Sequence, residues 1–137
     1  MSISHQILII GGGAAGLATA ASLHKRNTSL DIAVIEPADK HYYQPGWTMV
    51  GAGVFGKDET CRDMSAVWPV GVKRIKNEVI SFNPETNNVT MRDGAVIGYT
   101  TLIVAAGLKL DWEAVEGLND ALGENGVTSN YRYDLAP

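Results

Sequence analysis

Cysteine is almost absent from this chain of 137 residues, which contains only Cys61. One cysteine excludes an internal disulfide framework and a metal cage built from thiolates alone. The three histidines, His5, His24 and His41, lack the spacing of metal ligands. No nucleophile–base pair follows from residue spacing either. We therefore predict no metal site and no catalytic residue within this sequence.

Long hydrophobic runs and blocks of like charge are also lacking. The apolar stretches fall far short of the ~20 residues that a membrane-spanning helix needs. The run Ile7–Ile10 is too short for a signal peptide and follows no basic region. Net charge is −4, and the densest basic stretch, Lys73–Lys76, alternates like a solvated strand face. We expect no membrane segment and no nucleic-acid partner, and a location in the cytoplasm or peripheral to a membrane.

The remaining composition is that of an ordinary globular protein, with 45% hydrophobic and 19% charged residues. Apolar runs at Gln6–Ile10 and Ile32–Ile35 flank a stretch of small residues with helical spacing, Ala14–Lys25. Because these runs are continuous rather than alternating, they indicate parallel strands covered on both faces. Strand, helix and strand within about thirty residues predict a βαβ unit with a right-handed crossover.

Turn residues between short apolar runs predict an antiparallel meander in the second half. Its strands are expected at Glu78–Phe82, Val89–Met91 and Ala95–Tyr99, joined through Asn83-Pro84 and Asp93-Gly94. We also expect a short helix within Asp58–Val67 and a short parallel strand at Val72–Ile75. A fully apolar strand is expected at Leu102–Ala105. The predicted class is α/β, a Rossmann-like domain with a parallel sheet, a βαβ unit and an antiparallel β-meander.

A glycine cluster directly after the first strand carries the strongest functional signal. Residues 11–16 read Gly-Gly-Gly-Ala-Ala-Gly, a G-x-G-x-x-G pattern between a strand and a helix. Gly11 permits a tight turn, Gly13 lets a pyrophosphate approach the backbone, and Gly16 lets the helix pack close to the sheet. Glu36 follows at the end of the second strand, where a carboxylate can bind a ribose and repel a 2′-phosphate. The pattern predicts a dinucleotide site that disfavours NADP.

Two features favour FAD over NAD at this site. The fingerprint opens the chain, as in flavoproteins that bind FAD with the first of two dinucleotide units. The segment Thr100–Gly107 follows the meander and resembles the second FAD motif of that superfamily, with Ala106 where threonine is commoner. Small residues at a strand's carboxyl end let a cofactor pass close to the backbone. A plain core strand ending in a glycine turn is the alternative for this segment.

The segment from His41 to Gly53 indicates which group of flavoproteins the chain resembles. It reads HYYQPGWTMVGAG and, with Glu36-Pro37 ahead of it, is similar to the corresponding region of sulfide:quinone oxidoreductases. Residues 126–131 resemble another stretch of that family, and the likeness runs from residue 6 to the end. The resemblance implies an N-terminal portion, a single incomplete FAD-binding domain over residues 1–137 that stops before a second nucleotide-fold domain.

Carried over position by position, the resemblance implies a set of contacts with FAD. Ala14 and Ala15 would lie at the pyrophosphate beside the glycines, and Glu36 at the adenosine ribose. Val79 would contact the adenine through its backbone. The remaining expected cofactor contacts are Pro37 next to Glu36, Gln44 and Thr48 near the flavin, and Ala106 and Gly107 along the middle of the cofactor.

The aromatic residues of this segment and the lone cysteine each have two interpretations. Trp47 is expected near the isoalloxazine, but Tyr42 and Trp47 equally fit a packing role over the seam between helix and sheet. The two redox-active cysteines of the family lie beyond residue 137. Cys61 matches neither of them, and we interpret it as a structural thiol.

The resemblance implies a parent that passes electrons from sulfide through FAD to a quinone, with this chain inactive alone. One alternative is another FAD/NAD(P)-dependent oxidoreductase of the disulfide type, such as an NADH:quinone reductase or a flavocytochrome sulfide dehydrogenase. A second is a non-catalytic dinucleotide-binding module. In the family a later segment completes the sheet, so its absence would expose an apolar edge, and self-association through that edge is a further hypothesis.

Overall fold

Eight strands and four helices are found in the part of the chain that the computed structural model describes, residues 3–137. The strands are β1 (Ile3–Ile10), β2 (Ile32–Ile35), β3 (Lys40–Tyr42), β4 (Cys61–Asp63), β5 (Lys73–Ile75), β6 (Val79–Asn83), β7 (Asn88–Met91) and β8 (Val96–Val104). The helices are α1 (Ala14–Arg26), α2 (Trp47–Gly51), α3 (Met64–Val67) and α4 (Leu118–Ala121). Over these residues, no helix has the length and apolar character required to cross a bilayer.

The chain divides into two compact units. The first unit runs up to His41 and resumes from Asp63 to Gly107, and the second contains Tyr42–Arg62 and Leu108–Pro137. Strands β3 and β4 pair as a small two-stranded sheet where the chain passes from one unit to the other. The expected single incomplete domain over residues 1–137 stays a prediction.

A six-stranded sheet in the order β5-β2-β1-β8-β7-β6 forms the centre of the first unit. β1 pairs in parallel with β2 and β8, and β2 pairs in parallel with β5. β7 pairs antiparallel with both β6 and β8. The predicted α/β class is therefore confirmed, with β1, α1 and β2 as the βαβ unit and β6, β7 and β8 as the meander.

The continuous apolar run of β1 reflects burial on both faces of the sheet. Leu8 and Ile10 belong to one core cluster, which also contains side chains of β2, β7 and β8. Ile7 and Ile9 belong to a second cluster, with Ala20 of α1. Because successive strand residues point to opposite faces, a strand covered on both sides needs apolar residues throughout. β1 is thereby fixed at the centre of the unit.

The structure corrects the predicted strand division in the last part of the meander. The expected strands Ala95–Tyr99 and Leu102–Ala105 form one continuous strand, β8. Thr100 and Thr101 interrupt the apolar pattern but not the ladder, because β8 pairs with β1 along almost its whole length. Threonine is β-branched and favours strands, so a polar pair in this position does not end one.

The short helix expected within Asp58–Val67 is present only in its last turn. A 3₁₀ turn at Lys57–Thr60 and strand β4 come first, and α3 then covers the last four residues. The backbone N–H of Met64, the first residue of α3, donates to the Asp39 carbonyl over 2.8 Å. This long-range bond and the pairing of β4 with β3 override a weak local helical tendency.

Two isoleucines on β1 offer a matched test of this core. Ile9 is fully buried, whereas Ile3 is 55% exposed at the other end of the strand. Replacing Ile9 by Ala leaves a cavity, so we expect the free energy of unfolding to fall by about 2–5 kcal/mol. Ile3→Ala should change it by no more than about 0.5 kcal/mol. Urea unfolding followed by circular dichroism measures both, and equal losses would contradict the assigned core.

Candidate functional site

A cavity of about 290 Å³ lies in the first unit, at the carboxyl ends of three neighbouring parallel strands, β2, β1 and β8. In open α/β sheets, ligands bind outside the carboxyl ends of the strands. The residues that line the cavity are Ile10, Gly11, Ile35, Glu36, Pro37, Asn77, Glu78, Val79 and Ala106. Of the residues predicted from the sequence, it therefore gathers Gly11, Glu36, Pro37, Val79 and Ala106.

Each glycine of the fingerprint has a different steric environment. Gly11 has a φ of +101°, and a Cβ there would overlap the Ala105 carbonyl oxygen. A Cβ on Gly16 would overlap the carbonyl oxygen of Gly11, so the first turn of α1 packs directly against the glycine turn. Gly13 differs, because a Cβ there would meet no atom within 4 Å. Among the four glycines of the pattern, Gly13 is therefore the one with open space at its Cβ position.

The amino end of α1 faces this open space with small residues only. Gly13 is the N-cap and makes no side-chain cap, and Gly13, Ala14 and Ala15 are exposed. The first N–H groups of a helix have no partner within the helix, and together with the helix dipole they attract anions. The turn can therefore donate several main-chain hydrogen bonds to a phosphate.

Glu36 connects the glycine turn to the end of β2. One carboxylate oxygen accepts a hydrogen bond from the Gly12 N–H over 2.7 Å, and the other accepts one from the Ala38 N–H over 2.7 Å. The backbone of Glu36 is fixed as well, since its N–H donates to the Ile75 carbonyl over 3.0 Å. A carboxylate has about four acceptor positions, so Glu36 retains capacity for hydroxyl groups of a ligand.

His41 also contacts the glycine turn, although sequence reasoning gave it no role. Its ring Nδ1 lies 3.3 Å from the carbonyl oxygen of Gly12 and acts as the donor, because a carbonyl can only accept. Gly12 is therefore held through both of its main-chain groups, by Glu36 and His41. The sequence gives no indication of this contact, because the residues between Glu36 and His41 show no helical or strand periodicity.

Asn77 and Glu78 line the cavity beside Val79 and were likewise missed. The Asn77 side-chain oxygen accepts from the Glu78 N–H over 2.8 Å. Arg92 forms a two-pronged ion pair with Glu78, with both contacts at 2.8 Å. The hydrogen bond from Arg92 holds the pKa of Glu78 below its usual range, so this carboxylate stays charged. Their position directly before the predicted Val79 is the one signal that pointed to them.

The predicted residues Gln44 and Thr48 belong to the second unit. They line a different cavity, of about 300 Å³, together with Pro45, Asn130 and Tyr131. The fold therefore joins two stretches that were noticed separately in the sequence, residues 41–53 and 126–131. Gly107, which ends the first unit, is exposed and has a φ of +76°.

Trp47 packs inside the second unit. It is 8% exposed, and its ring lies 6.1 Å from the rings of both Tyr42 and Tyr133. Burial raises the pKa of Tyr133 to about 12, helped by the hydrogen bond that its hydroxyl donates to Asp58 over 3.1 Å. In this unit the three aromatic residues pack against one another, whereas the packing interpretation had placed Tyr42 and Trp47 over the seam between helix and sheet.

Cys61 is a free, half-buried thiol. Among residues 3–137, His, Cys, Asp and Glu side chains form no group of three or more that could hold a metal ion.

A sequence profile of the pyridine nucleotide-disulphide oxidoreductases matches residues 5–135 of the chain. The chain belongs to this family. The match extends over both compact units, from His5 on β1 to the carboxyl-terminal residues of the second unit. Membership of this family implies a flavin or nucleotide cofactor.

Curated relatives narrow the position within the family. The mitochondrial sulfide:quinone oxidoreductase of Dictyostelium discoideum is 48% identical over 94% of this chain, and that of Mus musculus 36% identical over 93%. The solved sulfide:quinone oxidoreductase of Aquifex aeolicus shares the fold, with a TM-score of 0.76 at 24% identity over 96% of this chain and 30% of its own. The resemblance to the N-terminal portion of these enzymes is confirmed. The chain spans 28–29% of the length of the two curated relatives.

The residues of the first unit fit the diphosphate and ribose of a dinucleotide cofactor. Open space at Gly13 would be filled by any larger side chain, and it lies in front of the amino end of α1. Glu36, on the adjoining cavity, is fixed by two backbone N–H groups and still has acceptor capacity. Donors for an anion and an acceptor for sugar hydroxyls therefore stand next to each other.

The two glycines at the start of α1 allow a sharp test of this geometry. Gly16→Ala forces a clash with the Gly11 carbonyl, so we expect the free energy of unfolding to fall by about 1–3 kcal/mol. Gly13→Ala meets open space and loses only the preference for glycine over alanine at an N-cap, so it should cost about 0.5–1 kcal/mol. Chemical unfolding of both variants measures the difference. If Gly13→Ala proved the more damaging of the two, the described turn would be wrong.

Proposed function

We propose that this chain is the FAD-binding portion of a sulfide:quinone oxidoreductase-like flavoprotein. One observation carries the proposal: the open main-chain turn at Gly13 lies next to a carboxylate, Glu36, whose orientation is fixed by the Gly12 N–H. A dinucleotide presents the same sequence of groups, a diphosphate followed by a ribose. The family profile and the sulfide:quinone oxidoreductase relatives support this interpretation.

In this proposal the main chain does most of the binding in the first unit. The N–H groups of Gly13, Ala14 and Ala15 donate to the pyrophosphate, while Gly11 and Gly16 shape the turn. Glu36 accepts hydrogen bonds from the adenosine ribose, beside Pro37. The further proposed contacts are Val79 with the adenine, Ala106 and Gly107 with the middle of the cofactor, and Gln44 and Thr48 with the flavin half.

The adenine is assigned to the cavity because its wall combines apolar and polar groups. Ile10 and Ile35 supply an apolar floor, and the start of β6 at Val79 supplies main-chain groups at the edge. The edge of an adenine carries both a donor and acceptors, which main-chain N–H and C=O groups can pair with. The carboxylate of Glu36 at the same cavity disfavours an additional phosphate on the ribose.

The parent protein is proposed to oxidise sulfide and to reduce a quinone. A bound flavin supplies the transfer of two electrons between these substrates. The residues of this chain bind and orient the cofactor. With Cys61 as its one cysteine, the chain cannot form an intramolecular disulfide, so we propose that it does not oxidise sulfide by itself.

Titration of the purified chain with FAD tests the proposal. We expect a bound flavin with its visible absorption band, and NAD should bind more weakly. Glu36→Gln removes the charged acceptor for the ribose and one of the two oxygens that accept from the Gly12 and Ala38 N–H groups, so it should weaken FAD binding by a factor of ~10 or more. Glu85→Gln makes the same chemical change in the exposed turn between β6 and β7, and should have no effect.

The outcomes of this titration separate the candidate functions. Tighter binding of NAD than of FAD would favour a non-catalytic dinucleotide module or an NADH-dependent enzyme. Absence of binding by either nucleotide would sink the proposal.

Self-association through the sheet edge is a second proposal, supported by the pairing of β8. Within the described residues, its second half, Thr101–Val104, pairs with β1 on one side only, whereas β7 covers the start of the strand. This half contains no charged residue or proline that would prevent pairing with another chain, and Val104 is 59% exposed.

Analytical ultracentrifugation at increasing protein concentration should show dimers. Val104→Lys should abolish these dimers, whereas the control Val96→Lys, at the end of β8 that β7 covers, should retain them. A monomer at all concentrations would contradict it.

A further inference from the structure

The second anchor of Glu36 depends on the loop that follows β2. Ala38, whose N–H donates to the Glu36 carboxylate over 2.7 Å, lies in this exposed loop and in no strand or helix. Ala38 follows Glu36 by two residues, so the position of its N–H depends on the other contacts of this loop.

Arg74 on β5 provides that support. Its Nη2 donates to the Ala38 carbonyl oxygen over 2.9 Å and to the Asp39 carboxylate over 3.4 Å. The guanidinium carbon lies 5.3 Å from the ring centre of Trp68, and the side chain is 26% exposed. The position of Arg74 is set by the pairing of β5 with β2, in which it lies opposite Val34.

A continuous series of hydrogen bonds thus runs from β5 to the glycine turn. Arg74 donates to the carbonyl of Ala38, the N–H of Ala38 donates to Glu36, and Glu36 accepts from Gly12. Every distance along this series is 2.7–2.9 Å, the range of well-formed hydrogen bonds. The carbonyl and the N–H of Ala38 belong to the two peptide groups on either side of its Cα, so a displaced carbonyl would act on the N–H through the backbone of this one residue.

We propose that Arg74 is a positioning residue for ribose recognition, acting through Ala38 on the Glu36 carboxylate. The inference rests on the proposed function, since it needs a ribose at Glu36. Arg74 itself does not line the cavity. Through Ala38, Arg74 orients the Glu36 carboxylate and thereby the acceptor positions that remain free for a ribose.

The chemistry of Arg74 suits this role better than a purely stabilising one. Its planar guanidinium can lie over the Trp68 ring and donate in its own plane to a carbonyl, which a lysine ammonium cannot do equally well. Within residues 3–137, its buried Nε–H has no hydrogen-bond partner. An unpaired buried donor costs free energy, so the contacts of Arg74 carry a cost beside their gain.

The test compares the affinities of the full chain for ADP and 2′-deoxy-ADP by isothermal titration calorimetry. The ratio of the two dissociation constants reports the contact with the 2′-hydroxyl of the ribose, because both ligands carry the same base and diphosphate. We expect the unmodified chain to prefer ADP by a factor of ~10 or more. Glu36→Gln should bring the ratio close to one.

Arg74→Met removes the donor to Ala38 and should lower the ADP preference by a factor of ~2–10. Arg74→Lys, which retains a donor without the planar group, should lie between Arg74→Met and the unmodified chain. Lys73→Met removes the same charge from the neighbouring, exposed position of β5 and should leave the ratio unchanged. In the double variant Glu36→Gln/Arg74→Met, the ratio should fall no further than in Glu36→Gln.

Each outcome decides the inference. If Arg74→Met and Arg74→Lys retain the full preference for ADP, or weaken both ligands equally, Arg74 does not act through Glu36 and the inference is wrong. Should Arg74→Met not fold, as judged by circular dichroism, the ratio measured for Arg74→Lys decides in its place. If the unmodified chain binds neither nucleotide, the proposed function itself is wrong. If only the preference for ADP fails to respond to the Arg74 variants, the inference is wrong and the proposed binding of FAD is unaffected.

Discussion

The hydrogen bond from the Gly12 N–H to the Glu36 carboxylate, 2.7 Å long, ties together the carboxyl ends of β1 and β2. Gly12 is buried, and a buried N–H without a partner costs about 1–3 kcal/mol. The glycine turn therefore depends on an acceptor supplied from the next strand. The same carboxylate faces the cavity, so the bond that stabilises the turn also places the proposed ligand of the ribose.

Positive and negative charge lie in different parts of the candidate site, as the diphosphate and the ribose of a dinucleotide require. The amino end of α1 offers partial positive charge and N–H donors, with no acidic residue in its first turn. The cavity beyond it carries two carboxylates, Glu36 and Glu78. The hydrogen bond from Arg92 lowers the pKa of Glu78. An anion is thus attracted at the turn, and hydroxyl or amino donors are attracted in the cavity.

Rigid support beneath the site comes from the burial of β1 on both faces. Its last four residues belong to the two core clusters, one on each side of the sheet. Parallel neighbours on either side fix the register of the strand. Sites built on such strands hold their geometry better than sites on loops. The loop after β2 lacks that support, which is why the contacts of Arg74 with Ala38 and Asp39 matter.

The order of amino acids was enough to predict β1, α1 and β2, because their patterns arise from local chemistry: apolar residues on both faces, helical spacing, and glycines where a Cβ would clash. It also located Glu36 through its distance from Gly16. It did not reveal the continuity of β8 through Thr100 and Thr101, since a ladder with β1 forms between residues far apart in the chain. Tertiary contacts connect His41 with the glycine turn and Arg74 with the loop after β2, and they place Asn77 and Glu78 at the cavity. The positions of these residues depend on strand pairing and loop contacts between distant parts of the chain. Such contacts produce no periodic pattern in the sequence.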